Sequence, residues 1–200
     1  MSRLLQGDVG SGKTIIAIAS LLIELEKDQQ GALMVPTEVL ASQHYRNLIK
    51  FLNPLLVSVE LLTGNTPQKK RKEILTNLKN GMVDILVGTH ALFEDKVVFN
   101  SLGMVVIDEQ HRFGVTQRNR LLNKGDNTNL LSMTATPIPR TLALSLYGDL
   151  DISQITELPP GRVPITTKII SEEELNKLFK RVENEIDHGK QAYVLSLIHI

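Results

Sequence analysis

Short runs of β-branched and leucine residues alternate along the chain with longer segments in which apolar residues recur at helical spacing. This alternation is typical of βαβ units, in which parallel strands form a sheet that helices cover. Six strands are predicted, at residues 3–6, 32–35, 58–62, 85–87, 104–107 and 130–133. Five helices are predicted, at residues 13–27, 38–52, 67–79, 115–123 and 138–147. The expected fold class is therefore α/β, with a mostly parallel sheet flanked by helices.

A proline-rich stretch separates this region from the rest of the chain. Three prolines and one glycine lie within residues 157–164, so the stretch cannot be helical and is predicted to form an extended linker. The pattern thus predicts a first domain over residues 1–156 and the incomplete start of a second over residues 165–200.

The last segment has the pattern of a single βαβ unit. Strands are predicted at residues 165–170 and 192–195. Between them, Ser171 and Glu174 have the spacing of a capping box and predict a helix that ends near His188. Residues 195–200 resemble the translation of a common sequencing adaptor and are expected to be an artefact, with an ordinary apolar strand as the alternative.

Composition excludes several classes of function. The 200 residues include 22 Lys and Arg, 22 Asp and Glu, and no cysteine. Thiol catalysis, cysteine-ligated metals and a disulfide framework are therefore excluded. A net charge of zero provides no global attraction for DNA, so any DNA contact must come from local patches. The apolar run at residues 15–23 is too short to cross a bilayer, and we expect an intracellular protein that binds no membrane.

A complete phosphate-loop pattern follows the first predicted strand and precedes the first predicted helix. Its residues are Gly7, Asp8, Val9, Gly10, Ser11, Gly12, Lys13 and Thr14. Glycines allow backbone N–H groups to surround phosphate oxygens, Lys13 can reach the β and γ phosphates, and the Thr14 hydroxyl can ligate Mg²⁺. These eight residues are predicted to bind ATP.

Two adjacent carboxylates, Asp108 and Glu109, end another buried strand. Asp108 is predicted to hold Mg²⁺, and Glu109 is predicted to orient and deprotonate the attacking water. His111 follows closely, but it has no second ligand at metal spacing, so a zinc site is not expected. The predicted catalytic residues are Lys13, Asp108 and Glu109.

Two hydroxyls, Thr134 and Thr136, follow the sixth predicted strand, before Pro137. Because the carboxyl ends of parallel strands share one edge, these threonines are expected near the phosphate loop, within reach of His111 or the magnesium. Alone, a Thr-Ala-Thr triplet is weak evidence for function.

The three motifs, in this order, resemble motifs one, two and three of superfamily 2 helicases. Longer strings at residues 108–118, 133–143, 147–151 and 158–162 resemble the RecG family of ATP-dependent DNA helicases. The transcription-repair coupling factor is the nearest alternative, but it normally differs from this chain at Ser11 and at residues 110–111. The resemblance implies a RecA-like first motor domain, with His111, Thr134 and Thr136 coupling the nucleotide to DNA.

The resemblance also implies a substrate and a set of DNA contacts. The substrate would be branched double-stranded DNA, such as forks and Holliday junctions, which a monomer remodels in recombination and repair beside the bacterial nucleoid. The implied contacts are Thr37, Thr63, Gly64, Thr89, His90, Arg112, Arg118 and Arg140. A helix cap or strand-ending turn is the alternative for the first five, and a surface ion pair for the arginines.

Two further features leave alternatives open. The basic run at residues 69–72 either contacts a phosphate backbone or is a solvated helix face. In the helicase family, a second motor domain supplies an arginine finger, and no motif of that domain follows residue 164. We therefore expect the intact protein to hydrolyse ATP, whereas the chain alone would be an ATP- and DNA-binding module without turnover.

Overall fold

The computed structural model describes residues 1–136, 150–157 and 165–195. Its chain forms two compact units, Met1–Pro160 and Gly161–Ile200. In the first unit the strands are β1 (Ser2–Gly7), β2 (Gln30–Met34), β3 (Val59–Leu62), β4 (Ile85–Gly88), β5 (Leu102–Ile107), β6 (Asn129–Thr134) and β7 (Asp151–Ile155). Its described helices are α1 (Lys13–Leu25), α2 (Glu38–Leu52), α3 (Gln68–Lys79) and α4 (Val115–Leu122), with 3₁₀ turns at Asn53–Leu55, His90–Phe93 and Gln110–Arg112.

The seven strands form one sheet in the order β3-β4-β2-β5-β6-β1-β7. Every pair of neighbours is parallel. The predicted α/β fold with a parallel sheet is confirmed, and the six predicted strands and the first four predicted helices match the observed elements within about two residues at each end.

Alternate residues of the central strands belong to two apolar clusters, because successive side chains of a strand point to opposite faces. Val105 and Ile107 of β5 pack in one cluster with Ile74 of α3 and Leu121 of α4. Met104 and Val106 pack in the other with Leu21 of α1 and Leu48 of α2. Burial on both faces explains why the central strands are continuous apolar runs.

Strand β7 was not predicted. Its sequence, Asp-Ile-Ser-Gln-Ile, is half polar, and it lies at the edge of the sheet with β1 as its single neighbour. An edge strand does not need a continuous apolar run, so the hydrophobic pattern gives little indication of it. The predicted fifth helix at 138–147 and the linker residues 158–164 lie outside the described residues.

In the second unit, residues 165–195 contain a 3₁₀ turn, Glu172–Glu174, and one helix, α5 (Leu175–Asp187). The strands predicted at 165–170 and 192–195 are absent from these residues, because a strand needs a hydrogen-bonding neighbour and the described part of this unit supplies none. The predicted capping box is also wrong. The Ser171 side chain makes no capping bond, and Glu174 N donates instead to the Ser171 carbonyl in the 3₁₀ turn at 3.0 Å.

The end of α5 agrees with the prediction. The helix ends at Asp187 with His188 as its cap, and Gly189 follows with φ of 79°, a backbone angle that glycine adopts without strain. Among the helices that the structure describes, none has both the length and the apolar character needed to cross a membrane.

Candidate nucleotide-binding site

Three motifs meet because their strands are neighbours in the sheet. Strand β6 lies between β5 and β1, with Gln6 paired to Thr134 and Ile107 paired to Ser132. The carboxyl ends of these three strands therefore lie side by side. This arrangement places the phosphate loop, the acidic pair and the threonine pair along one edge, as the sequence predicted.

The phosphate loop joins β1 to α1. Gly10 and Gly12 have φ of 80° and 93°, values that a side chain would strain. Val9 N donates to Asp8 Oδ1 at 2.7 Å, and Lys13 Nζ donates to the carbonyls of Gly7 and Asp8, each at 2.7 Å. The Lys13 side chain is thus folded back over the loop.

The electrostatics of Lys13 suit an anionic ligand. Burial lowers the pKa of Lys13, and the charges of Asp108 and Glu109 oppose this shift. A phosphate group would favour the protonated lysine, because an opposite charge nearby stabilises the charged form.

The acidic pair is oriented by hydrogen bonds. Asp108 Oδ1 accepts from Glu109 N at 3.0 Å, and Asp108 Oδ2 lies 2.9 Å from His44 Nε2. Glu109 has φ of 51°, a left-handed conformation that turns the chain sharply at the end of β5. His111 Nδ1 lies 3.5 Å from Glu109 Oε2. The structure therefore brings His111 beside the predicted base.

The threonine pair forms its own hydrogen bonds. The Thr134 and Thr136 hydroxyl oxygens are 2.8 Å apart, and Thr136 N donates to Thr134 Oγ1 at 3.2 Å. Thr134 is fully buried, and Ala135 between them lines the same cavity as Lys13 and Asp108. Among the residues described, neither hydroxyl bonds to His111, so of the two alternatives, a contact with His111 or with the magnesium, the first is not formed.

Helix α2 forms a wall of the site that the sequence motifs did not reveal. A cavity of about 280 Å³ lies between this helix, the phosphate loop and the acidic pair, and Gln43, His44 and Asn47 line it. The sequence gives no distinct signal of this wall, because α2 also carries exposed polar residues such as Arg46 and Lys50.

The residues present fit a magnesium nucleotide. Thr14 and Asp108 line this cavity with Lys13 and supply the hard oxygen ligands that Mg²⁺ prefers. No group of three or more His, Cys, Asp or Glu side chains in the described part of the chain could hold a metal by itself. Two protein oxygens suit a magnesium ion whose remaining ligands are phosphate oxygens and water.

The five predicted DNA contacts that are not arginines lie at the ends of strands or at the start of a helix, near the carboxyl edge of the sheet. Thr37 is the N-cap of α2, and its hydroxyl accepts from Leu40 N at 3.3 Å. Thr63 and Thr89 follow the paired strands β3 and β4 and are 7% and 1% exposed, whereas Gly64 and His90 are exposed. The two buried threonines would reach DNA only through their backbone.

The arginines differ in exposure. Arg112 is exposed, whereas Arg118 on α4 is 7% exposed and has an interaction partner within the protein. A DNA contact by Arg118 would therefore require its side chain to move outward. Arg140 lies outside the described residues.

Comparison with known proteins gives consistent matches. A DEAD/DEAH box helicase family profile matches residues 2–144. The ATP-dependent DNA helicase RecG of Synechocystis is 55% identical over 98% of this chain and 24% of its own length, and that of Bacillus subtilis is 51% identical over 98% of this chain and 29% of its own length. A solved structure of RecG bound to a three-way DNA junction is 44% identical, with a TM-score of 0.80 over 94% of this chain and 25% of that one. This chain thus spans about a quarter of the length of these relatives.

Proposed function

This chain belongs to the DEAD/DEAH box helicase family, and we propose that it is the ATP-binding motor domain of a helicase that unwinds or branch-migrates forked and Holliday-junction DNA. The observation that carries the proposal is the meeting of the phosphate loop, the acidic pair and the threonine pair at the ends of β1, β5 and β6. The RecG relatives and the RecG structure on a three-way junction support branched DNA as the substrate.

The site residues have separate roles in this proposal. Lys13 and the backbone of the phosphate loop bind the β and γ phosphates of ATP. Thr14 and Asp108 hold the magnesium, which when bound neutralises phosphate charge. Glu109 orients the attacking water and accepts its proton as the water oxygen bonds to the γ-phosphorus and the bond to the β-phosphate oxygen breaks.

Coupling to DNA is assigned to the same sheet edge. The hydroxyls of Thr134 and Thr136 bond to each other at the end of β6, and His111 lies beside Glu109. DNA phosphates would be held by Thr37 at the start of α2, by Thr63, Gly64, Thr89 and His90 at strand ends, and by the arginines Arg112, Arg118 and Arg140. The proposal includes a second motor domain that follows residue 164, a monomeric state and a location beside the bacterial nucleoid.

The first test is binding of a fluorescent ADP analogue with Mg²⁺ to the 200-residue chain. Lys13→Ala should weaken binding at least about 100-fold, because it removes the cation from the phosphate site. Lys27→Ala is the matched control, because it also removes one lysine, but this lysine pairs with Glu24 and does not line the cavity. Equal affinity of the Lys13 and Lys27 variants would contradict the assignment.

The second test concerns hydrolysis and uses the chain joined to the second motor domain that the proposal includes. Glu109→Gln should bind the analogue normally but lose at least about 100-fold in turnover, because an amide cannot accept the proton of water. DNA-stimulated turnover that persists in Glu109→Gln would exclude Glu109 as the base.

A further inference from the structure

A basic groove lies beside α3, away from the nucleotide site. Its volume is about 920 Å³. Its cationic lining residues are Lys69, Arg71, Lys72 and Lys79 of α3 and Lys96 of the loop before β5. Glu94 is the one acidic residue among its lining residues in the described chain. We call this surface the α3 groove.

The charges of the α3 groove are largely uncompensated. Arg71 and Glu94 form an ion pair of 2.5 Å, so their charges cancel. Within the described ranges, the side-chain ammonium groups of Lys69, Lys72, Lys79 and Lys96 have no ion-pair or hydrogen-bond partner. On the same helix, Lys70 points elsewhere and forms an ion pair with Glu60 at 3.3 Å. A chain of zero net charge therefore concentrates four free lysines in one groove.

The lysines are arranged along a line. Positions 69, 72 and 79 lie on one face of α3, because they are separated by three and seven residues. From Lys69 to Lys79 the helix rises about 15 Å, a length over which one strand of a duplex presents about four phosphates. The row is thus long enough to face several phosphates of one strand.

The α3 groove also adjoins the expected DNA contacts. Gly64 and Thr66, in the turn after β3, line one end of it. Arg71 Nη1 donates to the Thr63 carbonyl at 3.2 Å, which fixes that turn against the start of α3. A DNA backbone that contacts Thr63 and Gly64 can therefore continue along the lysines of the α3 groove.

We propose that the α3 groove binds the phosphate backbone of duplex DNA, as an electrostatic contact additional to those at the carboxyl edge of the sheet. The proposal rests on the DNA-binding function above. Lysines contact phosphates as point charges, and the described lining of the groove presents no arginine free to pair with base edges, so the contact is independent of DNA sequence. An acidic protein segment is the competing occupant, and the test below separates the two.

The experiment compares two triple variants of the 200-residue chain. One carries Lys69→Gln, Lys72→Gln and Lys79→Gln. The control carries Lys27→Gln, Lys50→Gln and Lys70→Gln, which removes the same net charge from residues outside the groove. Binding to a labelled duplex is measured by fluorescence anisotropy at several salt concentrations, and thermal unfolding verifies that both variants are folded.

The α3 groove variant should bind at least about tenfold more weakly than the control at low salt. The slope of log affinity against log salt should fall by about 0.9 for each phosphate that the variant no longer neutralises. Equal slopes and affinities for the two variants would overturn the proposal and leave an acidic protein segment as the remaining occupant. If the wild-type chain itself fails to bind duplex DNA, the proposed DNA-binding function fails, and the inference about the α3 groove fails with it.

Discussion

His44 Nε2 on α2 lies 2.9 Å from Oδ2 of Asp108, the residue that follows β5. A carboxylate oxygen only accepts hydrogen bonds, so Nε2 carries the hydrogen and donates it. The His44 side chain is buried, and its Nδ1 has no partner among the described residues. His44 and the Glu109 backbone N–H together hold both oxygens of Asp108, the expected magnesium ligand.

Mg²⁺ should raise the nucleotide affinity of the wild-type chain. In His44→Leu we expect this Mg²⁺-dependent increase to be smaller by a factor of about ten or more, because the partner that orients Asp108 is removed. Affinity measured without Mg²⁺ should change little, since Lys13 and the phosphate loop are intact. The measurement is binding of a fluorescent ADP analogue to the chain with Mg²⁺ and with a chelator.

Two variants separate orientation from folding. His44→Gln places an amide donor near the position of Nε2 and should retain most of the Mg²⁺ effect, whereas the shorter His44→Asn should not. A Mg²⁺ effect of the same size in wild type, Gln and Asn variants would show that the contact with Asp108 is not needed.

Nucleotide affinity should fall at alkaline pH, below the pH at which an ordinary lysine titrates. Burial lowers the pKa of Lys13 from the usual 10.5. Bound phosphate favours the charged lysine and raises this pKa in the complex. Binding therefore takes up a proton once the pH exceeds the lowered pKa of the free chain, so the affinity decreases as the pH rises through it.

Lys13→Arg provides the control for this pH dependence, because arginine stays charged over the whole range. Its affinity should be nearly constant between about pH 8 and pH 10.5, whatever its absolute value. A decrease of equal size in both proteins would assign the titration to another group.

Gln30 is expected to contribute strongly to stability. Its side chain is buried in β2, where Nε2 donates to the carbonyls of Leu78 and Val83 and Oε1 accepts from the backbone of Asn100 and Ser101. Gln30→Leu should lower the free energy of unfolding by about 2 to 5 kcal/mol, because buried backbone groups lose their partners. Denaturant unfolding provides the measurement, and Gln68→Leu, at an exposed site, should change stability by less than about 0.5 kcal/mol.

The threonine pair should affect coupling more than nucleotide binding. Thr136→Val keeps the shape of the side chain but removes the hydroxyl that lies 2.8 Å from that of Thr134. In the two-domain motor, we expect unwinding per ATP hydrolysed to fall severalfold while the affinity for the ADP analogue stays within about twofold. Thr116→Val, at an exposed site on α4, is the control, and a normal ratio of unwinding to hydrolysis in Thr136→Val would refute the coupling role.

Polar residues show what local sequence can predict. Lys13 and Asp108 were predicted because each lies in a motif whose chemistry is complete within a few neighbouring positions, directly after an apolar strand. His44 and Gln30 have no such neighbours. A polar residue on a helix or near a turn has the same local pattern whether it is solvated or bonded to a partner 64 or 70 positions away.

Local sequence was enough to establish the α/β class, the positions of six strands and the glycine-rich loop between β1 and α1, because hydrophobic periodicity and glycine-rich turns act over short distances. Tertiary packing was needed to establish that β7 joins β1 and that α2 forms a wall of the candidate site. It also decided that three of the four lysines of α3 line one groove with Lys96. Those features depend on which elements pack together, and packing joins residues that are far apart in the chain.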